Sequence, residues 1–216
     1  MNELDEELYN KSRASNIKIK KIQKKVDAQK AIVDIRKQEL LNKIIDVDLV
    51  IGIDNGVTGT IGALSKDQSY YFYCETPIKT ELDYTKEIQK INRIDFFKLK
   101  ETVESIIYTR SNINKPLVVL ERPMVNTQRF KSSCIALRAY EATLIVLEQL
   151  KLNYITIDSK QWQHYLFGKN TTLLDLKKES CNLGITLYPL FKKEMSVHGD
   201  ADSILICKYI IEKVLK

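Results

Sequence analysis

Leu49-Val50-Ile51-Gly52-Ile53-Asp54-Asn55-Gly56-Val57-Thr58-Gly59-Thr60-Ile61-Gly62-Ala63-Leu64 is the stretch that decides the fold. An apolar, β-branched run ends in a carboxylate, turns through Asn-Gly, and resumes as a second apolar run. The pattern predicts two strands joined by a tight turn, with the Asn55-Gly56 pair supplying positive φ. Asp54 then stands at the tip of a buried strand, beside backbone nearly bare of side chains. Such a place lets a phosphate or a metal come close. A turn-forming Asp in an ordinary hairpin is the plain alternative for this stretch taken alone.

Outward from this hairpin, the pattern predicts strands at 49–54, 60–65 and 69–75, a three-strand antiparallel meander. Residues Pro77 to Asn92 are polar and are expected to be irregular. Asp95 is placed to cap a helix whose Phe96, Leu99, Val103, Ile106 and Ile107 recur at helical spacing. Leu117-Val118-Val119-Leu120-Glu121 reads as a short buried strand that also ends in a carboxylate. A loop from Arg122 to Lys131 leads into a helix over 132–150, and Tyr154-Ile155-Thr156-Ile157-Asp158 is the fifth strand. Helical segments follow around 159–166 and 172–182, and Gly199 opens the last helix. A meander followed by alternating strands and helices predicts an α/β fold, a mixed five-stranded sheet covered by helices on both faces.

The chain has 216 residues, enough for one good core and an appendage. No apolar run approaches the roughly 20 residues that span a bilayer, and the N-terminus is too acidic and polar for a signal peptide. Cys74, Cys134, Cys181 and Cys207 are scattered without zinc-ligand or CxxC spacing, which predicts reduced thiols in a cytoplasmic setting. Only two histidines argue against a histidine-rich metal site. The net charge of +6 and pI near 9.0 fit a polyanionic partner without requiring one.

Residues 1–46 lack Gly and Pro and read as a basic helical N-terminal extension, set apart from a domain at 47–216. From Ser15 to Ile45, nine basic residues face three acidic ones, with Lys18, Lys20, Lys21, Lys24 and Lys25 clustered. Ile19, Ile22, Val26, Val33 and Leu40 fall near heptad positions, but Gln29 and Arg36 interrupt the seam. A solvated helix, a dimerisation arm and an arm lying on nucleic-acid backbone all fit this pattern.

The carboxylates are more informative. Asp54 and Glu121 both end buried strands, and they converge if those strands are neighbours. A third acidic group lies in Val197-His198-Gly199-Asp200-Ala201-Asp202-Ser203-Ile204, where an acidic pair opens an apolar helix. Asp at a helix N-terminus is often only a cap or a dipole partner. Three such groups from distant parts of the chain point instead to hard oxygen ligation of Mg²⁺ or Mn²⁺.

Taken together, Gly-Ile-Asp-x-Gly-x-x-Gly at 52–59, Glu-Arg-Pro at 121–123 and His-Gly-x-Ala-Asp at 198–202 resemble the RuvC-type Holliday-junction resolvases, especially their bacteriophage branch. Ile157-Asp158-Ser159-Lys160-Gln161-Trp162 is similar to that branch's fifth strand and the turn after it. The Lys-rich helix at 176–180 running to Leu187-Tyr188-Pro189 is similar as well. The resemblance covers roughly 49–216 in order. It implies an RNase H-like fold, a homodimer, a bacterial, phage-infected or viral context, and nicking of four-way or branched DNA with two divalent ions per site.

By position, the resemblance makes Asp54, Glu121 and Asp202 metal ligands. His198, four residues before Asp202, ranks first as the fourth ligand on the resemblance and on helical spacing, provided helical geometry already begins there, and Asp200 is its rival. Lys177 or Lys178 resembles a phosphate-contacting lysine, although each reads equally well as a solvated one. Phe130 corresponds to an aromatic that intrudes at the junction, or else anchors its loop to the core. Arg129, Lys131, Lys160 and Lys178 complete the expected DNA-contacting set. Two other readings stay open: another RNase H-like nuclease or transposase-type enzyme, which would use the same metals, and an actin-like ATP-binding fold, which begins with the same Gly-Ile-Asp-x-Gly-x-Thr pattern. The second normally needs two such domains.

Overall fold

The structure is a computed structural model that describes residues 37–82, 88–109, 115–168 and 173–215, with isolated positions between 24 and 35. The chain divides into two compact units, Met1–Asn42 and Lys43–Lys216. In the first, the described residues at 37–42 are helical. Ile19, Ile22, Val26, Val33 and the lysines at 18, 20 and 21 lie outside the described residues.

The second unit is built on a five-stranded sheet. Strands β1 (Leu49–Ile53), β2 (Thr60–Ser65), β3 (Tyr71–Glu75), β6 (Pro116–Glu121) and β7 (Asn153–Ile157) lie in the order β3-β2-β1-β6-β7. β2 runs antiparallel to β1 and β3, whereas β6 is parallel to both β1 and β7. This is the mixed five-stranded sheet that the sequence predicts. Central β1 is buried along its whole length, because both of its faces are covered.

The period of two divides its side chains between two cores. Leu49, Ile51 and Ile53 pack with Leu99, Val103 and Ile106 of α1 (Phe96–Tyr108) and with Val146 and Leu147 of α2 (Phe130–Gln149). Val50 faces the other way, in a core with Trp162 of α3 (Ser159–Phe167), Met195 of α5 (Lys192–His198) and Ile204, Cys207 and Ile211 of α6 (Asp202–Lys213). Cutting Ile51 back to Ala would cost about 2–5 kcal/mol, since it is wholly buried. Helix α4 (Leu173–Leu187) packs beside α5 and α6.

Local signals explain most boundaries. The Asp95 side chain accepts the Lys98 N–H at 3.2 Å and starts α1. A capping box of Asp158 and Gln161 starts α3.

Three expectations are corrected. The stretch read as irregular, 77–92, holds β4 (Ile78–Leu82) and the start of β5 (Lys90–Ile94), which pair antiparallel in a separate two-stranded sheet. Polar cross-strand pairs hold it, Thr80 to Asn92 at 2.9 Å and Arg93 to Glu81 at 2.7 Å, so it carries no apolar alternation to read. The turn after Asp54 needs no positive φ at Gly56, since the described glycines with positive φ are Gly168 and Gly199. What the turn requires is Gly59, where a Cβ would fall 2.0 Å from the Asp54 carbonyl oxygen. Gly199 does not open the last helix. It ends α5 at φ +91°, and α6 begins at Asp202.

Candidate metal centre

Sheet register sets the first pair of carboxylates. Ile53 lies beside Leu120 in the parallel β1–β6 ladder, so Asp54 and Glu121 leave adjacent strands at the same edge. The Asp54 N–H donates to the Thr60 carbonyl at 3.1 Å, which closes the turn behind it.

A second contact brings in the acidic pair. Helix α6 lies against β1 and β2 where those strands have no side chain. A Cβ at Gly52 would stand 2.1 Å from the Ser203 carbonyl oxygen, and one at Gly62 would stand 2.5 Å from the Ile204 nitrogen. The N-terminus of α6 is thereby pressed onto the strand tip, and carboxylate oxygens of Asp54, Asp200 and Asp202 come within 4.8 Å of one another.

Neighbours hold Asp202, Glu121 and Asp200 in place. Ser180 of α4, itself buried, donates its hydroxyl to Asp202 Oδ1 and accepts the Ala201 N–H at 3.1 Å. The Tyr73 hydroxyl donates to the Asp200 carbonyl at 2.8 Å. Trp162 Nε1 donates to Glu121 Oε2 at 2.8 Å. His198 sits between Glu75, at 3.7 Å from Nδ1, and Asp200, at 3.6 Å from Nε2. Lys177 Nζ reaches to 3.9 Å from Asp200 Oδ2 from an exposed position.

Electrostatics show what this arrangement lacks. Burial, reinforced by the charges of Glu121, Asp202 and Asp200, holds the Asp54 carboxyl well above the usual carboxylate range. Burial pushes Glu121 up to about 7, despite the opposing Trp162 hydrogen bond. Asp202 is raised by burial and by Asp200, against the hydrogen bond from Ser180. Exposed Lys177 brings one positive charge near Asp200, and His198 adds one only when protonated, too little for the three clustered aspartates and Glu121. An all-oxygen donor set short of positive charge fits hard divalent cations.

The other expected residues lie at varying distances from this point. Asp54, Glu121 and Arg129 line one cleft of about 290 Å³, together with Asn126, Ser132 and Ser159. Phe130 begins α2 with 74% of its surface exposed, so it does not anchor its loop to the core. Lys131 Nζ donates to Gln89 Oε1 at 3.2 Å. Lys160 and Lys178 are exposed and do not line the cleft. The helical spacing that favoured His198 over Asp200 does not apply, because Gly199 interrupts the helix between residues 198 and 202. Sequence reasoning missed the supporting groups Trp162, Ser180, Tyr73 and Glu75. The capping box marks the start of α3, whereas nothing in a run of helix-forming residues marks Ser180.

No protein-family model and no curated protein sequence matches the chain. Among solved structures, the chain is similar to T. thermophilus RuvC in complex with a Holliday junction substrate. The identity is 15%, the TM-score 0.47, and the match covers 74% of this chain and 89% of that one. It is also similar to another Thermus thermophilus RuvC structure, at 11% identity and a TM-score of 0.37, covering 74% of this chain and 94% of that one. Strand order and register, rather than these alignments, define the fold.

Proposed function

We propose that the chain is a divalent-metal-dependent endonuclease that cuts four-way or otherwise branched DNA, with the nuclease in residues 47–216 and a basic arm in residues 1–46. The observation that carries this reading is the convergence of Asp54, Asp200 and Asp202, with Glu121 on the adjacent strand, at one edge of an RNase H-like sheet. Asp54, Glu121 and Asp202 hold Mg²⁺ or Mn²⁺, two ions per site. The approach of Asp200 favours it as the fourth ligand, with His198 bracing it from behind. Divalent cations held by these carboxylates would supply Lewis acidity toward a phosphodiester and positive charge for the leaving oxygen.

The remaining residues bind and place the substrate. Lys177 stands at the mouth of the site, where its ammonium can meet a phosphate as well as Asp200. Arg129 lines the cleft, exposed Phe130 and Lys131 follow it in sequence, and Lys160 and Lys178 are further exposed cations that would meet phosphate. Phosphate contacts of this kind fix register without reading sequence, so selectivity rests on branched DNA shape. A homodimer would set two such sites against a junction.

Variants Asp54→Asn, Glu121→Gln and Asp202→Asn are expected to lose Mg²⁺-dependent cleavage by at least about 100-fold while still binding junction DNA, because phosphate contacts come from Lys and Arg. Cleavage near the wild-type rate in any of the three removes that residue from the ligand set. Single Asp200→Ala and His198→Ala variants rank the fourth position, and the larger loss is expected for Asp200.

A further inference from the structure

Trp162 is the only tryptophan in the chain, and it is fully buried. Its ring packs edge-on against Phe167, 6.2 Å between centroids, within the core beneath α6. A buried indole N–H needs an acceptor. Here the acceptor is a carboxylate oxygen, Glu121 Oε2, at 2.8 Å.

The donor is held in place from two directions. Its helix is started by the Asp158–Gln161 capping box, in which the Asp158 N–H donates to Gln161 Oε1 at 3.2 Å. The residue after Glu121 is tied to the same point: the Arg122 N–H donates to the Ile157 carbonyl at 2.9 Å, and its guanidinium meets Asp158 at 3.2 Å. Donor and acceptor therefore sit on one frame made by the ends of β6 and β7 and the start of α3. One oxygen of Glu121 is committed to the indole. The other, Oε1, has no hydrogen-bond partner among the described residues, and Glu121 lines the cleft.

We infer that Trp162 is a positioning residue for the metal centre: its N–H fixes the Glu121 carboxylate so that Oε1 is presented to a divalent cation. The inference rests on the metal-centre reading proposed for this site. Hydrogen bonds to ligating carboxylates typically change metal affinity by about 10- to 100-fold when removed. Because the indole touches the ligand directly, its emission also reports on the site.

The test is Mg²⁺ binding to the full chain by calorimetry, with Trp162→Phe against wild type, alongside circular dichroism and melting of both proteins. Phe keeps the ring and removes the donor. The expected result is a folded variant that binds Mg²⁺ about 10- to 100-fold more weakly. A purely structural role lowers Tm and leaves Kd where it was, and an unchanged Kd overturns the inference.

If Trp162→Phe does not fold, Mg²⁺ titration of wild-type fluorescence decides. A saturable change in emission with the calorimetric midpoint, lost in Glu121→Gln, supports the inference. Emission indifferent to Mg²⁺, or changing equally in Glu121→Gln, overturns it. Absence of any Mg²⁺ binding by wild type is a different outcome, and it takes down the metal-centre reading along with the inference.

Discussion

At the scale of residues, the site is a set of carboxylates held together against their own repulsion. The folded protein keeps a proton on Glu121 up to about pH 7, whereas the unfolded chain releases it near 4.5. Between those values the folded state binds more protons, so the metal-free protein loses stability as pH rises through that window. Melting is therefore expected at a lower temperature at about pH 7.5 than at about pH 5.5, with saturating Mg²⁺ recovering much of the difference. Glu121→Gln should flatten this dependence, and an equally steep one in that variant would place the strain elsewhere. That Asp54 and Glu121 leave adjacent strands at one edge was legible in the sequence, because each ends a short apolar run. The choice between His198 and Asp200 was not legible. It rested on the resemblance and on helical spacing across 198–202, and the left-handed Gly199 removes the second of these supports. Trp162 was visible only as part of a motif, since its acceptor lies 41 residues away in sequence.

At the scale of elements, the packing that makes the site is α6 on β1 and β2. It exists because Gly52 and Gly62 remove the side chains that would hold the helix off the sheet. Gly52→Ala drives a methyl into the Ser203 carbonyl, and neither backbone can give way cheaply. A destabilisation of about 2–3 kcal/mol is expected, or a Tm fall of roughly 5–10 °C, together with weaker Mg²⁺ binding as Asp202 moves away from Asp54. Thermal melting and calorimetry on the same variant check both. Unchanged Mg²⁺ affinity in a destabilised variant would mean that the helix position does not set the site. The strands of the central sheet were readable because they are buried and continuous. The β4–β5 hairpin was not, because side-chain pairing rather than burial holds it together.

At the scale of the whole molecule, a basic chain carries a cluster of carboxylates together with exposed Arg129, Phe130 and Lys131, and the nuclease reading is proposed from that combination. Among the described residues, no helix is long and apolar enough to cross a membrane. Deleting residues 1–46 is expected to leave a domain that still cleaves, because every proposed ligand lies beyond residue 49. Junction binding should weaken and become less salt-dependent, by roughly 0.9 in the log–log slope for each phosphate that the shortened protein no longer neutralises. An unchanged slope would remove the DNA-arm role, and a shift from dimer to monomer in sedimentation would assign the segment to assembly instead. The central claim is tested most directly by incubating the full chain with four-way, flap and linear DNA of matched sequence, with Mg²⁺ and with a chelator. The account predicts paired nicks in the four-way substrate with Mg²⁺, little cutting of linear DNA, and none under chelation. Cleavage that persists without divalent cations, or that is no faster on branched DNA than on linear DNA, would contradict it.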